Sequence, residues 1–254
     1  MTNEPNPPIA DEDTFVERLD VALAGELAAL ARFCHAQGWA RATSGNFSAR
    51  VGEARVLVTA SGVDKGAIGE GDFALVNLEA KPEGEGGPSP SAEAPLHCAI
   101  YRRRPGVLAV AHTHSVASTV LSRHFARRGA LSLRGYEMAK ALGARSHETT
   151  LVLPILENSQ DALALARAVE ARLDRDSVGY LIEGHGLTTW GPDVAALRRH
   201  VEALEFLLAC ELASLSLPPA DAPRPLPPRP SRPGLVAELG AASGHVAARL
   251  ALAH

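Results

Sequence analysis

The segment AVAHTHSVAST, residues 109–119, places two histidines one residue apart at the end of an aliphatic run. A Pro-Gly pair marks a turn before that run, and the short apolar stretch predicts a mostly buried β-strand over 108–112. Side chains alternate between the two faces of a strand, so His112 and His114 would point the same way if the extended backbone continues. Two imidazoles on one face, at the end of a buried strand, are suited to share a ligand.

The composition is that of a globular protein with a sizeable core. The chain has 254 residues, of which 46% are hydrophobic, and its formal net charge is -4. These values predict one domain, or one domain with a small appendage, and they give no reason to expect binding to nucleic acid or to anionic lipid. No apolar run is long enough to span a bilayer, and the polar, acidic N-terminal segment lacks the features of a signal peptide.

Cysteine usage points to a reducing compartment. The chain has three cysteines, Cys34, Cys98 and Cys210, which are widely spaced and form no CxxC pair. An odd number of scattered cysteines predicts no disulfide framework. We therefore expect a cytoplasmic protein.

Alternating strand and helix patterns predict an α/β domain over 14–216. Strands are predicted at 55–59, 73–78, 108–112, 150–153 and 178–182, and helices at 14–37, 92–103, 136–142, 158–173 and 193–215. Thr14 is the expected N-cap of the first helix, and Asn158 or Ser159 that of the helix at 158–173. The pattern alone leaves parallel and antiparallel sheets open.

Both ends of the chain are predicted to lie outside this domain. Residues 1–13 are polar, acidic and rich in proline, so we expect a disordered lead. Residues 217–234 are so rich in proline that we expect an extended linker. Residues 235–254 are expected to form an amphipathic helix or a loosely ordered tail.

A third histidine follows another predicted strand. His185 lies in LIEGHGLTTWG, directly after the strand at 178–182, and the glycines on both sides let backbone and ligand come close. Three neutral imidazoles with an open position make a catalytic divalent-metal site, commonly of zinc. Spacing alone also allows HTH and GHG to be separate polar strand ends.

Two glutamates are candidate general acids or bases. Glu93 begins the predicted helix at 92–103, and Glu137 lies in an otherwise apolar helical segment. A carboxyl group beside an apolar wall and a metal has a pKa that can be tuned towards neutrality. The alternative interpretation is that Glu93 is a first-turn residue favoured by the helix dipole and Glu137 a surface charge. His97, four residues after Glu93, is interpreted as a simple helix residue.

Loops of small residues supply candidate phosphate contacts. Asn46 follows a Ser-Gly pair, Ser61 and Gly62 form a second such pair, and Ser91 lies near a helix N-terminus, where an anion is favoured. Lys65, in SGVDKG, would add a positive charge. Each of these features is by itself a turn signal, and none forms a P-loop or a dinucleotide-binding fingerprint.

Eight motifs in chain order resemble those of the class II aldolase/adducin family: TSGNFSAR, TASGVDKG, PSAEAPLHCAIY, AVAHTHS, GYEMAKAL, LPILENSQD, LIEGHGLTTWG and HVEALEFLLACEL. The resemblance spans about residues 15–212. It implies a three-layer α/β sandwich with a central mixed or antiparallel sheet flanked by helices. SGVDKG, GYEMAKAL and ENSQD are similar to a dehydratase branch of the family, which acts on a methylthio-bearing 2-ketose 1-phosphate in methionine salvage.

The resemblance also implies roles for individual residues. His112, His114 and His185 match the family's metal-binding histidines, which implies one Zn²⁺ per subunit. Glu137 matches the position proposed as acid/base in related dehydratases. Glu93 matches the catalytic glutamate of the family's sugar-phosphate aldolases, at a position where animal members of the dehydratase branch carry a cysteine.

The family's phosphate-holding loops also have matches in this sequence, at Asn46, Ser61, Gly62 and Ser91. Lys65 has no such counterpart and is a candidate on its charge alone. The expected partner is therefore a small sugar phosphate, with neither nucleic acid nor membrane involved. Family members are usually homotetramers with active sites near subunit interfaces, so we expect a homo-oligomer.

Two other functions stay open at the level of sequence. Retention of Glu93 favours an aldolase or 4-epimerase that acts on fuculose, rhamnulose or ribulose phosphate. A non-catalytic, adducin-like interaction domain is the alternative from another class of protein. The complete set of three histidines argues against it, because the adducin-type domain lacks that set.

Overall fold

The computed structural model describes residues 12–84 and 86–217, with side chains from residue 20 onwards. The chain divides into two units, Met1–Ser216 and Leu217–His254, and every element below belongs to the first. Residues 1–11 of the predicted lead lie outside the described residues, as do the predicted linker and tail beyond residue 217.

Within the described residues, one mixed sheet of eight strands forms the centre of the fold. Its order is β3-β2-β1-β4-β8-β7-β6-β5, and every neighbouring pair is antiparallel except β6 with β7. The strands are β1 (Asn46–Val51), β2 (Arg55–Thr59), β3 (Phe73–Asn77), β4 (Ala109–Thr113), β5 (Ala130–Leu133), β6 (Leu151–Leu156), β7 (Gly179–Ile182) and β8 (Gly186–Gly191).

Helices cover both faces of this sheet, which confirms the predicted three-layer α/β sandwich. They are α1 (Glu12–Ala36), α2 (Ala94–Arg103), α3 (Val116–Phe125), α4 (Ala162–Arg172) and α5 (Val194–Ser216). The buried side chains of α2 and α4 pack on one face, and those of α1, α3 and α5 pack on the other. No helix in the described residues is both long and apolar enough for a membrane span.

Strand β4 lies in the middle of the sheet and carries His112. Val110 packs with the α2 layer, whereas Ala109 and Ala111 pack with α1 and α5. This alternation directs His112 to the α2 side and Thr113 to the α5 side. The strand ends at Thr113, so His114 follows directly after it.

Helix α4 begins later than predicted. Its N-cap is Asp161, whose Oδ1 accepts hydrogen bonds from the backbone N–H groups of Leu163 and Ala164 at 3.0 Å. The predicted caps Asn158 and Ser159 are therefore wrong. Ser159 instead accepts the N–H of Asp161 and forms a turn before the helix.

Other predicted boundaries also need correction. Helix α1 begins at Glu12, so the predicted lead is too long by two residues. The helix predicted at 136–142 is a 3₁₀ turn over Glu137–Leu142. No range was predicted for helix α3 or for strands β1, β5 and β8.

Strand β8 follows β7 through a three-residue hairpin loop, residues 183–185. Gly184 in this loop has a φ of +63°, a conformation that glycine adopts without steric cost. Gly186, the first residue of β8, lies so close to β4 that a Cβ atom there would be 2.0 Å from the Thr113 carbonyl oxygen. A side chain at this position would therefore push apart β4 and β8, at whose ends the three histidines lie.

Replacement of Gly186 by alanine should destabilise the fold. The added methyl group meets backbone rather than a flexible side chain, so we expect the free energy of unfolding to fall by about 1–3 kcal/mol or more. Urea denaturation measures this change. Gly71→Ala is the matched control, because no atom lies within 4 Å of its Cβ position and its φ is not positive. Equal stability of the two variants would contradict the expectation.

Candidate metal centre

Three histidine side chains converge at one end of the sheet. The rings of His112, His114 and His185 have pairwise centroid separations of 4.5 to 4.9 Å and stand nearly perpendicular to one another. The Nε2 atoms of His112 and His114 are 2.9 Å apart. Together with a carboxylate oxygen of Glu93, their ligand atoms all lie within 4.8 Å of one another.

Backbone contacts fix the orientation of His112. Its Nδ1 lies 3.0 Å from both the Leu187 carbonyl oxygen and the Thr188 hydroxyl, on the adjacent strand β8. Because a carbonyl oxygen only accepts hydrogen bonds, Nδ1 carries the proton and Nε2 presents its lone pair to the other histidines.

The other two histidines are held by their own backbone. The N–H of His114 donates to the Trp39 carbonyl at 2.7 Å, which fixes the chain just beyond β4. His185 closes the hairpin loop between β7 and β8, where its N–H donates to Ile182 and its carbonyl accepts the Thr119 hydroxyl. These hydrogen bonds fix the backbone position from which each ring projects.

Glu93 supplies a fourth candidate metal ligand, from the N-terminus of helix α2. It occupies the N-cap position of α2 but makes no side-chain capping bond. Its carboxylate turns instead to the histidines, with Oε1 3.2 Å from His185 Nε2 and Oε2 3.5 Å from His112 Nε2. Asn46 Nδ2 donates to Oε2 at 2.6 Å and holds the carboxylate in place.

The electrostatics of the cluster fit a cation. Burial, followed by the neighbouring imidazoles, lowers the pKa of His112 well below its usual range and that of His114 to about 3. Both rings are therefore neutral at physiological pH, which is the form that binds a metal.

The spacing of the nitrogen atoms also fits a metal. Ligand nitrogens on tetrahedral zinc lie ~3.3 Å apart for Zn–N distances of ~2.0–2.1 Å. The separations among the four candidate ligand atoms run from 2.9 Å to at most 4.8 Å, a range that includes this value. Lone pairs that face one another this closely repel unless a proton or a cation lies between them. The residues present thus fit a divalent ion with three nitrogen donors and one oxygen donor.

The candidate phosphate loops come together beside Glu93. The N–H of Ser61 donates to Ser89, and the N–H of Ser91 donates to Thr59, so the two loops run alongside each other. The Ser91 hydroxyl accepts the N–H of Glu93. Ser61 and Gly62 are exposed, and Gly62 has a φ of +74°.

Lys65 is buried beneath these loops rather than exposed on them. Its side chain is 2% exposed, and Nζ donates to the carbonyl oxygens of Thr43 and Val63 at 2.8 Å each. Burial lowers the pKa of its ammonium group. In this position Lys65 joins the loop before β1 to the loop after β2.

Glu137 is not part of the cluster in the single chain. Its side chain is 67% exposed, forms an ion pair with Lys140 at 2.5 Å, and lies 3.2 Å from His147 Nδ1. The hydrogen bond and charge of Lys140 lower the pKa of its carboxyl group. The structure therefore brings Glu93, and not Glu137, to the three histidines.

A buried carboxylate on the opposite side of the sheet from His112 was not predicted from the sequence. Glu205 on α5 is 2% exposed, and its Oε1 accepts a hydrogen bond from the Thr113 hydroxyl at 2.5 Å. Thr113 stands between His112 and His114 but faces the opposite side of the sheet. The available signal was an acidic residue at a core position of an apolar helix, in HVEALEFLL.

Ionisation of Glu205 should make stability depend on pH. Burial raises its pKa from 4.5 to about 7, so the folded protein holds a proton there that the unfolded chain releases above about 4.5. The stabilisation that this pKa difference gives is complete below pH 4.5 and is lost as the pH rises towards 7. The total loss in the free energy of unfolding is at most roughly 3 kcal/mol. Glu205→Gln should remove this component from urea-unfolding curves between pH 5 and 8. An unchanged slope in the variant would contradict the assignment.

The chain belongs to the class II aldolase and adducin family. The class II aldolase and adducin N-terminal domain matches residues 25–212. This range contains all four members of the cluster and the candidate phosphate loops.

Proteins similar to this chain include two dehydratases and an aldolase. The chain is 50% identical over 194 residues to the methylthioribulose-1-phosphate dehydratase of Sorangium cellulosum, covering 75% of this chain and 92% of that protein. It is 48% identical over 201 residues to the enzyme of the same name from Parvibaculum lavamentivorans, covering 78% and 97%. Among solved structures, the L-fuculose-1-phosphate aldolase of Thermus thermophilus matches with a TM-score of 0.63 and 26% identity, covering 78% of this chain and 97% of that one.

Proposed function

We propose that this protein dehydrates 5-methylthioribulose 1-phosphate to 2,3-diketo-5-methylthiopentyl 1-phosphate, a step of methionine salvage. The cluster of Glu93 with His112, His114 and His185 carries the proposal, because it offers a cation site next to loops suited to a phosphate. The relatives named above support the choice of substrate, since they share about half of their residues with this chain over most of their length.

We propose Zn²⁺ as the cation, with one ion per subunit. Three imidazole nitrogens and a carboxylate oxygen suit zinc, whereas magnesium and calcium prefer oxygen donors. A divalent ion held there would polarise the C2 carbonyl of the ketose and stabilise the negative charge that develops when the C3 proton leaves.

The proposed chemistry needs one group that takes a proton and one that gives a proton. Glu93, at the cluster, takes the proton from C3, while Asn46 Nδ2 holds the carboxylate in its orientation. Glu137 donates a proton to the C4 hydroxyl, which leaves as water; this step requires that the contact with Lys140, which lowers the pKa of Glu137 in the single chain, be replaced by a buried environment that raises the pKa. The resulting enol then tautomerises to the 2,3-diketone. Because Glu137 is exposed in the single chain, we propose that it reaches the site of a neighbouring subunit.

We also propose a homotetramer in the cytoplasm. The three cysteines are free thiols, which fits a reducing compartment. Sedimentation velocity of the purified protein tests the oligomeric state. A monomer with full activity would exclude a role for Glu137 across subunits.

The exposed Ser61-Gly62 loop is the proposed phosphate contact, together with Asn46 and Ser91. Ser61→Ala removes one hydroxyl donor to a charged group, and such hydrogen bonds are worth about 1.5–3 kcal/mol. We expect KM to rise by about 10- to 150-fold, the equivalent of that energy, with a much smaller change in kcat. Steady-state kinetics measure both parameters. Ser132→Ala, an exposed serine on β5, is the matched control and should leave KM unchanged.

Product analysis tests the proposed reaction against its rivals. The purified protein is incubated separately with methylthioribulose 1-phosphate and with fuculose, rhamnulose and ribulose phosphates. Formation of the diketone from the first substrate supports dehydration. Dihydroxyacetone phosphate from a deoxyketose phosphate would establish an aldolase, and an epimerised pentulose would establish a 4-epimerase. Absence of turnover together with absence of bound metal would favour the non-catalytic, adducin-like alternative.

A further inference from the structure

Helix α3 lies between two of the proposed metal ligands. Its N-cap is Ser115, the residue that follows His114, and the Ser115 hydroxyl accepts the backbone N–H of Ser118 at 3.0 Å. The helix thus starts directly from the backbone of one ligand. Further along, it contacts the hairpin loop 183–185, whose last residue is His185. The same ten-residue helix therefore connects the backbone of one ligand with the loop that carries another.

Two hydroxyl groups on α3 hold consecutive residues of this loop. Thr119 Oγ1 donates to the His185 carbonyl at 2.9 Å, and Ser122 Oγ accepts the N–H of Gly184 at 3.0 Å. Residues three apart lie on one face of a helix, so both hydroxyls face the loop. Ser122 Oγ also donates to the Thr119 carbonyl at 3.0 Å, which orients its lone pair towards the loop. The stem of Arg123 packs on the same loop, because its Cγ lies 3.2 Å from the Cβ position of Gly184.

Within the described residues, the His185 ring lacks the outer hydrogen bond that fixes the His112 ring. His112 Nδ1 lies 3.0 Å from the Leu187 carbonyl oxygen, whereas His185 Nδ1 is buried without a partner there. The Nε2 of His185 is directed at the cluster, 3.2 Å from Glu93 Oε1. A metal-bound histidine usually donates its second ring nitrogen to an outer group that fixes the ring. For His185 the position of the ring therefore depends on the backbone from which it projects.

We propose that Thr119 and Ser122 are positioning residues that hold the metal ligand His185 through its backbone. Because α3 starts next to His114, the two hydroxyls also set the separation between these two ligands. The loop is then ordered before the ion binds, so that little conformational entropy is lost on binding. This inference rests on the proposed metal site, and the identity of the substrate does not enter it.

Zinc affinity, measured by competition with a chromophoric chelator, tests the two hydroxyls. Thr119→Val keeps the shape of the side chain and removes its hydroxyl, and Ser122→Ala removes the acceptor of the Gly184 N–H. We expect the Kd for Zn²⁺ to rise by about 10- to 100-fold in each variant, as it does when an outer partner of a metal site is lost. Thr119→Ser keeps the hydroxyl and should retain the affinity of the wild type.

Thr189→Val separates positioning from general stability. The Thr189 hydroxyl also donates to a backbone carbonyl, that of Val178 at 2.7 Å, but this bond lies beyond the opposite end of β7 from His185. Thr189→Val should lose at least as much stability in urea denaturation as Thr119→Val does, because the same kind of bond is removed from a buried site. Its affinity for zinc should nevertheless equal that of the wild type.

Several results would overturn the proposal. Unchanged zinc affinity in either Thr119→Val or Ser122→Ala would do so, as would equal losses in Thr119→Val and Thr119→Ser. An equal loss in Thr189→Val would make the effect one of stability alone. A wild type that binds no zinc would overturn the metal site and this inference together. A wild type that binds zinc but does not dehydrate methylthioribulose 1-phosphate would refute the proposed function, while the zinc affinities still decide the role of the two hydroxyls.

Discussion

Replacement of His112 by alanine is expected to remove both the bound cation and turnover. His112 lies in the central strand, is 2% exposed, and is held by Nδ1 so that Nε2 faces His114 and His185. Without it, the cluster keeps only two imidazoles and one carboxylate. Loss of one preorganised electrostatic contact costs about 100- to 1000-fold in kcat, and loss of the ion itself should cost at least as much.

Two measurements check this expectation on the same sample. Elemental mass spectrometry gives the metal content per chain, and release of the diketone gives the rate. His124→Ala is the matched control, because His124 is exposed on α3 and contacts none of the cluster. A folded His112→Ala protein that keeps a full complement of metal would contradict the assignment of His112 as a ligand.

Glu93→Gln and Glu137→Gln should both impair catalysis, but only the first should affect the cation. Glutamine keeps the size of each side chain and removes its charge and its capacity for proton transfer. A positioned general acid or base contributes about 100- to 10,000-fold, so we expect kcat to fall within that range in each variant. Glu93→Gln should also weaken zinc binding, because its carboxylate lies 3.2 Å from His185 Nε2.

The two glutamates are distinguished by metal affinity measured alongside kcat. Glu137→Gln should retain the affinity of the wild type, since its contacts are Lys140 and His147. Full activity of Glu137→Gln would reduce that residue to a surface ion-pair partner and leave Glu93 as the single carboxylate of the reaction. Full activity of Glu93→Gln would contradict its role at the cluster.

The central features of the fold could be predicted because they depend on local patterns. A short aliphatic run after Pro-Gly identifies β4, and period-two alternation then places His112 on one face. Strand β8 was missed because GLTTWG begins with glycine and contains no aliphatic run. That glycine is required by the 2.0 Å approach of its Cβ position to β4, a contact between residues far apart in the chain.

The site itself was only partly predictable, because it also depends on contacts between residues that are far apart in the chain. Histidines at strand ends are visible in the sequence, but the direction of the Glu93 side chain depends on a contact with Asn46, 47 residues away. The exposed position of Glu137 depends on Lys140 and His147, and an apolar neighbourhood in the sequence gave no sign of it. Glu205 is placed by helix-to-sheet packing, which a single sequence does not specify.

The coordination of the bound metal shows whether the three histidines and Glu93 hold one ion together. X-ray absorption at the metal edge of the zinc-loaded protein reports the number and type of atoms bound to the ion. We expect three imidazole nitrogens and one oxygen from Glu93, or from a ligand that displaces it, at about 2.0–2.1 Å. A shell with fewer than three imidazoles, or one that is unchanged in His112→Ala, would contradict this expectation.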